Sequence, residues 1–139
     1  MFDDDDDGVV IADGRSGVRL SRAGEANKLG YPTLIEVRAG PFAGSVRDDT
    51  VGDYSMFLEQ LESLYSRLSG TAALGSYEGF SLSLVGGGGG GIAVSAVIVG
   101  EHIPSIRLTF EFSLDQSYLP PIIRGIRREF PPPTRVRKP

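Results

Sequence analysis

Residues 53–70 read DYSMFLEQLESLYSRLSG, one apolar stripe at helical spacing between a capping residue and a glycine. Tyr54, Phe57, Leu58, Leu61, Leu64, Tyr65 and Leu68 recur every three or four positions, which predicts a helix over 53–68. The Asp53 carboxylate suits the N-cap, where it accepts a first-turn N–H and meets the positive end of the helix dipole. Gly70 is placed to end the helix in a left-handed conformation. Glu59, Glu62, Ser63 and Ser66 fall on the opposite, wet face.

On both sides of this helix the apolar period changes to two. Downstream, Phe80, Leu82 and Leu84 alternate with serines, residues 92–99 are almost wholly apolar, and Ile106, Leu108, Phe110 and Phe112 alternate with polar residues. Short connections make these three strands an antiparallel meander. Upstream, residues 9–12 and 18–20 form an expected hairpin and residues 21–32 a loop. Ile35, Val37 and Ala39 mark a half-buried strand, with a returning strand over 42–46 that Asp48, Asp49, Gly52 and Asp53 interrupt. A second helix is expected over 117–130, striped by Leu119, Ile122, Ile123, Ile126 and Phe130. Pro120 and Pro121 lack N–H groups and are tolerated only in a first turn, which puts the N-cap close to Ser117. Asp115 and Gln116 at the helix entry are expected to bind nearby backbone donors through their side chains.

These elements give an α+β fold, a mostly antiparallel β-sheet with two α-helices packed on one face. The expected core is Phe57, Leu61, Tyr65, Phe80, Leu82, Ile98, Leu108, Phe110, Ile122 and Ile126. A chain of 139 residues fits one domain. We expect an acidic leader over 1–8, a single domain over 9–131 and a basic, proline-rich tail over 132–139. The leader's five consecutive aspartates, residues 3–7, repel one another and have nothing apolar to bury, so disorder is expected there. An acidic N-terminus is the reverse of a secretory signal, and no apolar run is long enough to span a bilayer, so a cytoplasmic protein is expected. The absence of cysteine excludes disulfides and thiolate metal sites. The net charge of −4 weighs against nucleic acid and anionic membranes as partners.

Catalytic and cofactor motifs are wanting. The run Gly86–Gly91 contains the spacing of a dinucleotide loop, but a strand follows it where a helix N-terminus must stand. Asp3, Asp5, Asp7 and Gly8 begin like a calcium loop, yet Gly14 occupies the position of its bidentate glutamate. His102 is the single histidine, and no nucleophile elbow accompanies it. Asp48, Asp49 and Asp53 cluster before the first helix, where capping explains them better than acid–base chemistry. The arginines near the C-terminus lack interleaved aromatic residues for base stacking. No cofactor, no metal and no enzymatic activity is expected.

One resemblance adds to this reading. Gly40-Pro41-Phe42-Ala43-Gly44, then Asp53 leading into Phe57, Leu61, Leu64, Tyr65, Leu68 and Gly70, are its first part. Ala72, Ser76, Glu78, the 80–84 strand and Leu108, Phe110 and Phe112 continue it, and Asp115-Gln116-Ser117-Tyr118-Leu119 is its most specific piece. Over about Ile35 to Phe130 the chain resembles the WapI-type immunity proteins, antitoxins of contact-dependent toxin systems. The resemblance implies an antitoxin that occludes the C-terminal domain of a polymorphic toxin, often a nuclease. The chain departs from the pattern in its six-glycine run and its acidic leader. A basic toxin domain would call for a pre-formed acidic interface, expected at Asp48, Asp49, Glu59 and Glu62. The alternative is a protein-binding or scaffold domain that shares the fold and has no toxin partner.

Overall fold

The computed structural model describes residue 2, residues 8–102 and residues 105–131. The aspartate run 3–7 and the tail 132–139 lie outside the described residues. The α+β fold holds, with the strands divided between two four-stranded antiparallel sheets. The first is β1 (Val9–Ala12), β2 (Ser16–Arg22), β3 (Tyr31–Ala39) and β4 (Phe42–Val51), in chain order. The helix α1 (Tyr54–Arg67) follows. The second sheet is β5 (Ser69–Gly75), β6 (Ser81–Gly87), β7 (Gly91–His102) and β8 (Ser105–Asp115), again in chain order. A 3-10 turn, Gln116–Tyr118, leads into α2 (Leu119–Glu129).

Alternation places Val9, Ile11, Val18, Leu20, Ile35 and Val37 on the buried face of the first sheet. Leu82, Leu84, Val94, Ala96, Ile98, Phe112 and Leu114 do the same for the second. Both sheets and both helices contribute to one continuous apolar cluster. The helix α1 packs on β5, and α2 packs on α1 and β1. An aromatic group locks the end of α2 to β3 and α1. Tyr54 stacks on Phe130 with ring centroids 3.8 Å apart, Tyr31 meets both rings edge-on, and the Tyr31 hydroxyl donates to the Pro131 carbonyl. On the outer face of the first sheet, Arg19 forks onto Glu36 of the neighbouring strand at 2.7–2.9 Å.

Several expectations need correction. The strand β4 runs on to Val51, past the point where aspartates seemed to break it. Tyr65, expected in the core, is 46% exposed, because the apolar stripe of α1 is wider than the surface that covers it. Leu108 and Phe110 are half-buried at the distal end of β8. The left-handed residue that ends α1 is Leu68 (φ 61°), not Gly70. Gly70 sits within β5 opposite Gly86, so sheet pairing takes over two residues earlier than a glycine cap would allow.

Half of the six-glycine run is strand. Gly86 and Gly87 end β6, Gly91 starts β7, and residues 88–90 make the turn. Gly86 has a packing reason to lack a side chain: a Cβ there would stand 2.6 Å from Leu64 Cδ1 and 2.8 Å from the Leu68 carbonyl oxygen. The end of α1 therefore rests on bare backbone. The Gly88 amide completes the seam by donating to the Leu68 carbonyl at 2.8 Å.

Entry into α2 also differs in detail. Asp115 accepts the Ser117 amide at 2.8 Å and so caps the 3-10 turn. Ser117 is inside that turn and does not cap α2. Pro120 and Pro121 remove the very donors that an N-cap side chain would bind, so Tyr118 precedes α2 with no side-chain bond. Gln116 uses its backbone amide, which donates to the Gly90 carbonyl at 2.9 Å. Its side-chain Oε1 is buried without a hydrogen-bond partner among the described residues, contrary to the expected backbone contact.

Candidate partner-binding surface

The two sheets meet where β4 ends and β5 turns into β6. Backbone joins them first, through the Gly52 amide donating to the Gly75 carbonyl at 3.1 Å. A buried carboxylate joins them again. Asp48 is 4% exposed, and its Oδ1 accepts from the amide and the hydroxyl of Thr50, both at 2.8 Å. Its Oδ2 accepts from the Ser76 hydroxyl at 2.5 Å. Ser76 Oγ in turn accepts the Phe80 amide at 3.0 Å, and Thr50 Oγ1 accepts the Tyr77 amide at 3.1 Å. A buried carboxylate is tolerated when donors surround it, and here three donors from two segments do so.

The turn between β5 and β6 is thus held at both ends, and it presents Tyr77 with 82% of its surface exposed. Beside it lies an open cleft of about 500 Å³ lined by Leu29, Thr50, Gly52, Asp53, Ala73, Gly75, Ser76 and Tyr77. Leu29 projects from the loop before β3 and is 49% exposed. Asn27 fixes that loop. Its side-chain carbonyl accepts the Leu29 amide at 2.8 Å, and its amide group donates to the Asp49 carbonyl at 3.2 Å. Asp53 is the charged member of the lining. It holds a left-handed backbone (φ 59°) and accepts the Met56 amide at 3.0 Å as the N-cap of α1. The result is an exposed aromatic and an exposed aliphatic side chain, both on pinned backbone, flanking a cleft with one carboxylate.

The four carboxylates expected to form an acidic face do not share one environment. Asp48 is an internal strut and is not available to a partner. Asp49 is exposed but pairs with Arg47 at 3.0 Å. Glu62 bridges to Arg127 of α2 at 2.8 Å, on the rim of a shallow groove between the helices. Glu59 is exposed on α1. Sequence reasoning missed Tyr77, Leu29 and Thr50, and it named Ser76 only as part of the resemblance, without its bond to Asp48. The signal for Ser76 lay 28 positions from Asp48, and no local pattern joins two such residues. Among the described residues, no group of three or more His, Asp or Glu side chains is placed to hold a metal ion. No helix among them is long and apolar enough to cross a membrane.

A family model, the immunity protein WapI-like family, matches residues 27–132. The chain belongs to this family. The match covers the second half of the loop before β3, then β3, β4, α1, the whole second sheet and α2, so the sheet junction and the Tyr77 turn lie inside it, while β1 and β2 lie before it. No curated protein and no solved structure gives a significant match.

Proposed function

We propose that this WapI-like immunity protein acts without catalysis, by binding the toxic C-terminal domain of a polymorphic toxin and occluding its active site. Membership of the family over 27–132 carries the reading. The module is the single domain 9–131, acting in the cytosol of the cell that makes the toxin. Its binding surface is the cleft at the sheet junction, with Tyr77 and Leu29 as anchors and Asp53 as its carboxylate. Tyrosine is a favoured anchor because it brings a large amphipathic area at the cost of few rotamers. The pinned turn lowers that cost further, since the backbone is ordered before the partner arrives. The Asp53 carboxylate suits a basic domain such as a nuclease.

The test is calorimetric titration with the toxin domain encoded directly upstream of this gene. Tyr77→Ala is expected to weaken binding by about tenfold or more, the range of a central aromatic anchor. Glu59→Lys, on the exposed side of α1, is expected to leave affinity within about threefold, as rim charges do. The opposite ranking would move the surface to α1, and no binding by wild type would remove the proposal.

A further inference from the structure

The strand β8 closes the second sheet on the side away from β5, so one of its edges pairs with no strand among the described residues. It is 11 residues long and reads SIRLTFEFSLD, with neither the proline nor the lysine that usually protects such an edge. Its core-side residues are not fully covered. Ile106 is 53% exposed, and Leu108 and Phe110 are half-buried, although their β7 partners Ile98 and Ala96 are buried. Residues 105–107, 109 and 111 are exposed, so no other element among the described residues screens this stretch.

We propose that β8 is a dimerisation edge whose occupant is β8 of a second copy of this chain, antiparallel about a two-fold axis at Thr109. In that register each residue faces the one equally distant from Thr109 on the other copy. Arg107 then stands opposite Glu111, twice, on the outer face. Ile106 stands opposite Phe112, and Leu108 opposite Phe110, on the core face. Opposite charges and apolar pairs across an antiparallel ladder are its stabilising units. Moving the axis one residue either way puts both charges opposite serine or threonine, so the charge pattern selects one register. A two-fold interface must be self-complementary, and this edge is. The sheets of two copies become one eight-stranded sheet that covers Ile106, Leu108 and Phe110. The Tyr77 turn lies by β5, on the opposite edge of the sheet, and stays open, so the inference does not depend on the proposed toxin contact.

Sedimentation of the full chain from micromolar to submillimolar concentration tests this. Wild type is expected to dimerise, and Arg107→Glu to weaken the dimer by about tenfold or more by opposing like charges twice. The double variant Arg107→Glu with Glu111→Arg, which restores the pairing with signs exchanged, is expected to recover it. Both sites are exposed, so circular dichroism should show unchanged folding. Concentration-dependent amide protection confined to β8 is the second readout. A chain that stays monomeric throughout overturns the proposal. So does a dimer indifferent to Arg107→Glu, one that the double variant fails to restore, or one seen only with the toxin domain bound.

Discussion

Asp48 and Asp49 are neighbours in sequence and opposites in role. Asp48→Ala leaves the Thr50 amide and two hydroxyls without their acceptor inside the protein, and should cost about 2 kcal/mol or more in urea unfolding. Asp49→Ala removes an exposed ion pair and should change stability by less than about 0.5 kcal/mol. Equal effects would contradict the strut assignment. Tyr54 supplies a pH prediction. Burial raises its hydroxyl pKa far above the ordinary 10.0, the Thr33 hydrogen bond pulls the other way, and the Asp48 carboxylate adds to the rise. In the unfolded chain this group ionises near 10.0, so its contribution is intact below that pH and declines as pH climbs toward the folded value. Unfolding free energy should therefore fall above pH 10.0, and Tyr54→Phe should lose less stability over that interval than wild type. An identical alkaline slope in the variant would contradict it. Only part of this scale was legible in the sequence. The Asp53 cap and the Asp115 turn are local, and local patterns announce them. The Asp48 network draws Thr50 from two residues away and Ser76 from 28, and the second distance is set by the fold alone.

At the scale of elements, period separates the helices from the strands because each buries one face. Period does not say how wide the covered face is, which is why Tyr65 reads as core and lies outside. Nor does it say which hairpins join. The run of antiparallel neighbours is visible in the sequence, but α1 intervenes between β4 and β5, and the sheet splits there with Gly52 and Gly75 as the stitch. The end of α1 shows tertiary pairing overriding a local signal. A left-handed Leu68 costs roughly 1–2 kcal/mol that glycine would avoid, and it is retained because β5 must begin at Ser69 opposite Gly87. The same seam distinguishes the glycines of the run. Gly86→Ala pushes a methyl group against Leu64 and the Leu68 carbonyl and should cost about 1–3 kcal/mol. Gly89→Ala meets open space at the turn and should leave the melting temperature almost unchanged. Thermal denaturation of the two variants side by side checks this, and equal losses would show that the seam does not need Gly86.

The whole molecule is two sheets on one shared core, with two unequal edges. On the β5 side, backbone and a buried carboxylate fasten the sheets together and hold Tyr77 out toward solvent. On the β8 side a bare strand remains. Occlusion, as proposed, would need ordered backbone under the anchors more than reactive groups, and hydrogen bonds hold the Tyr77 turn at both ends. Occlusion makes a demand that catalytic inactivation does not: one antitoxin site is consumed for each toxin domain. The most direct measurement is a titration of the toxin domain's own activity, at toxin concentrations far above the dissociation constant, with increasing amounts of this chain. Activity should fall linearly and vanish at one chain per toxin domain, with both proteins covalently unchanged by mass. Full activity at excess chain, or complete loss at a small fraction of an equivalent, would contradict the account.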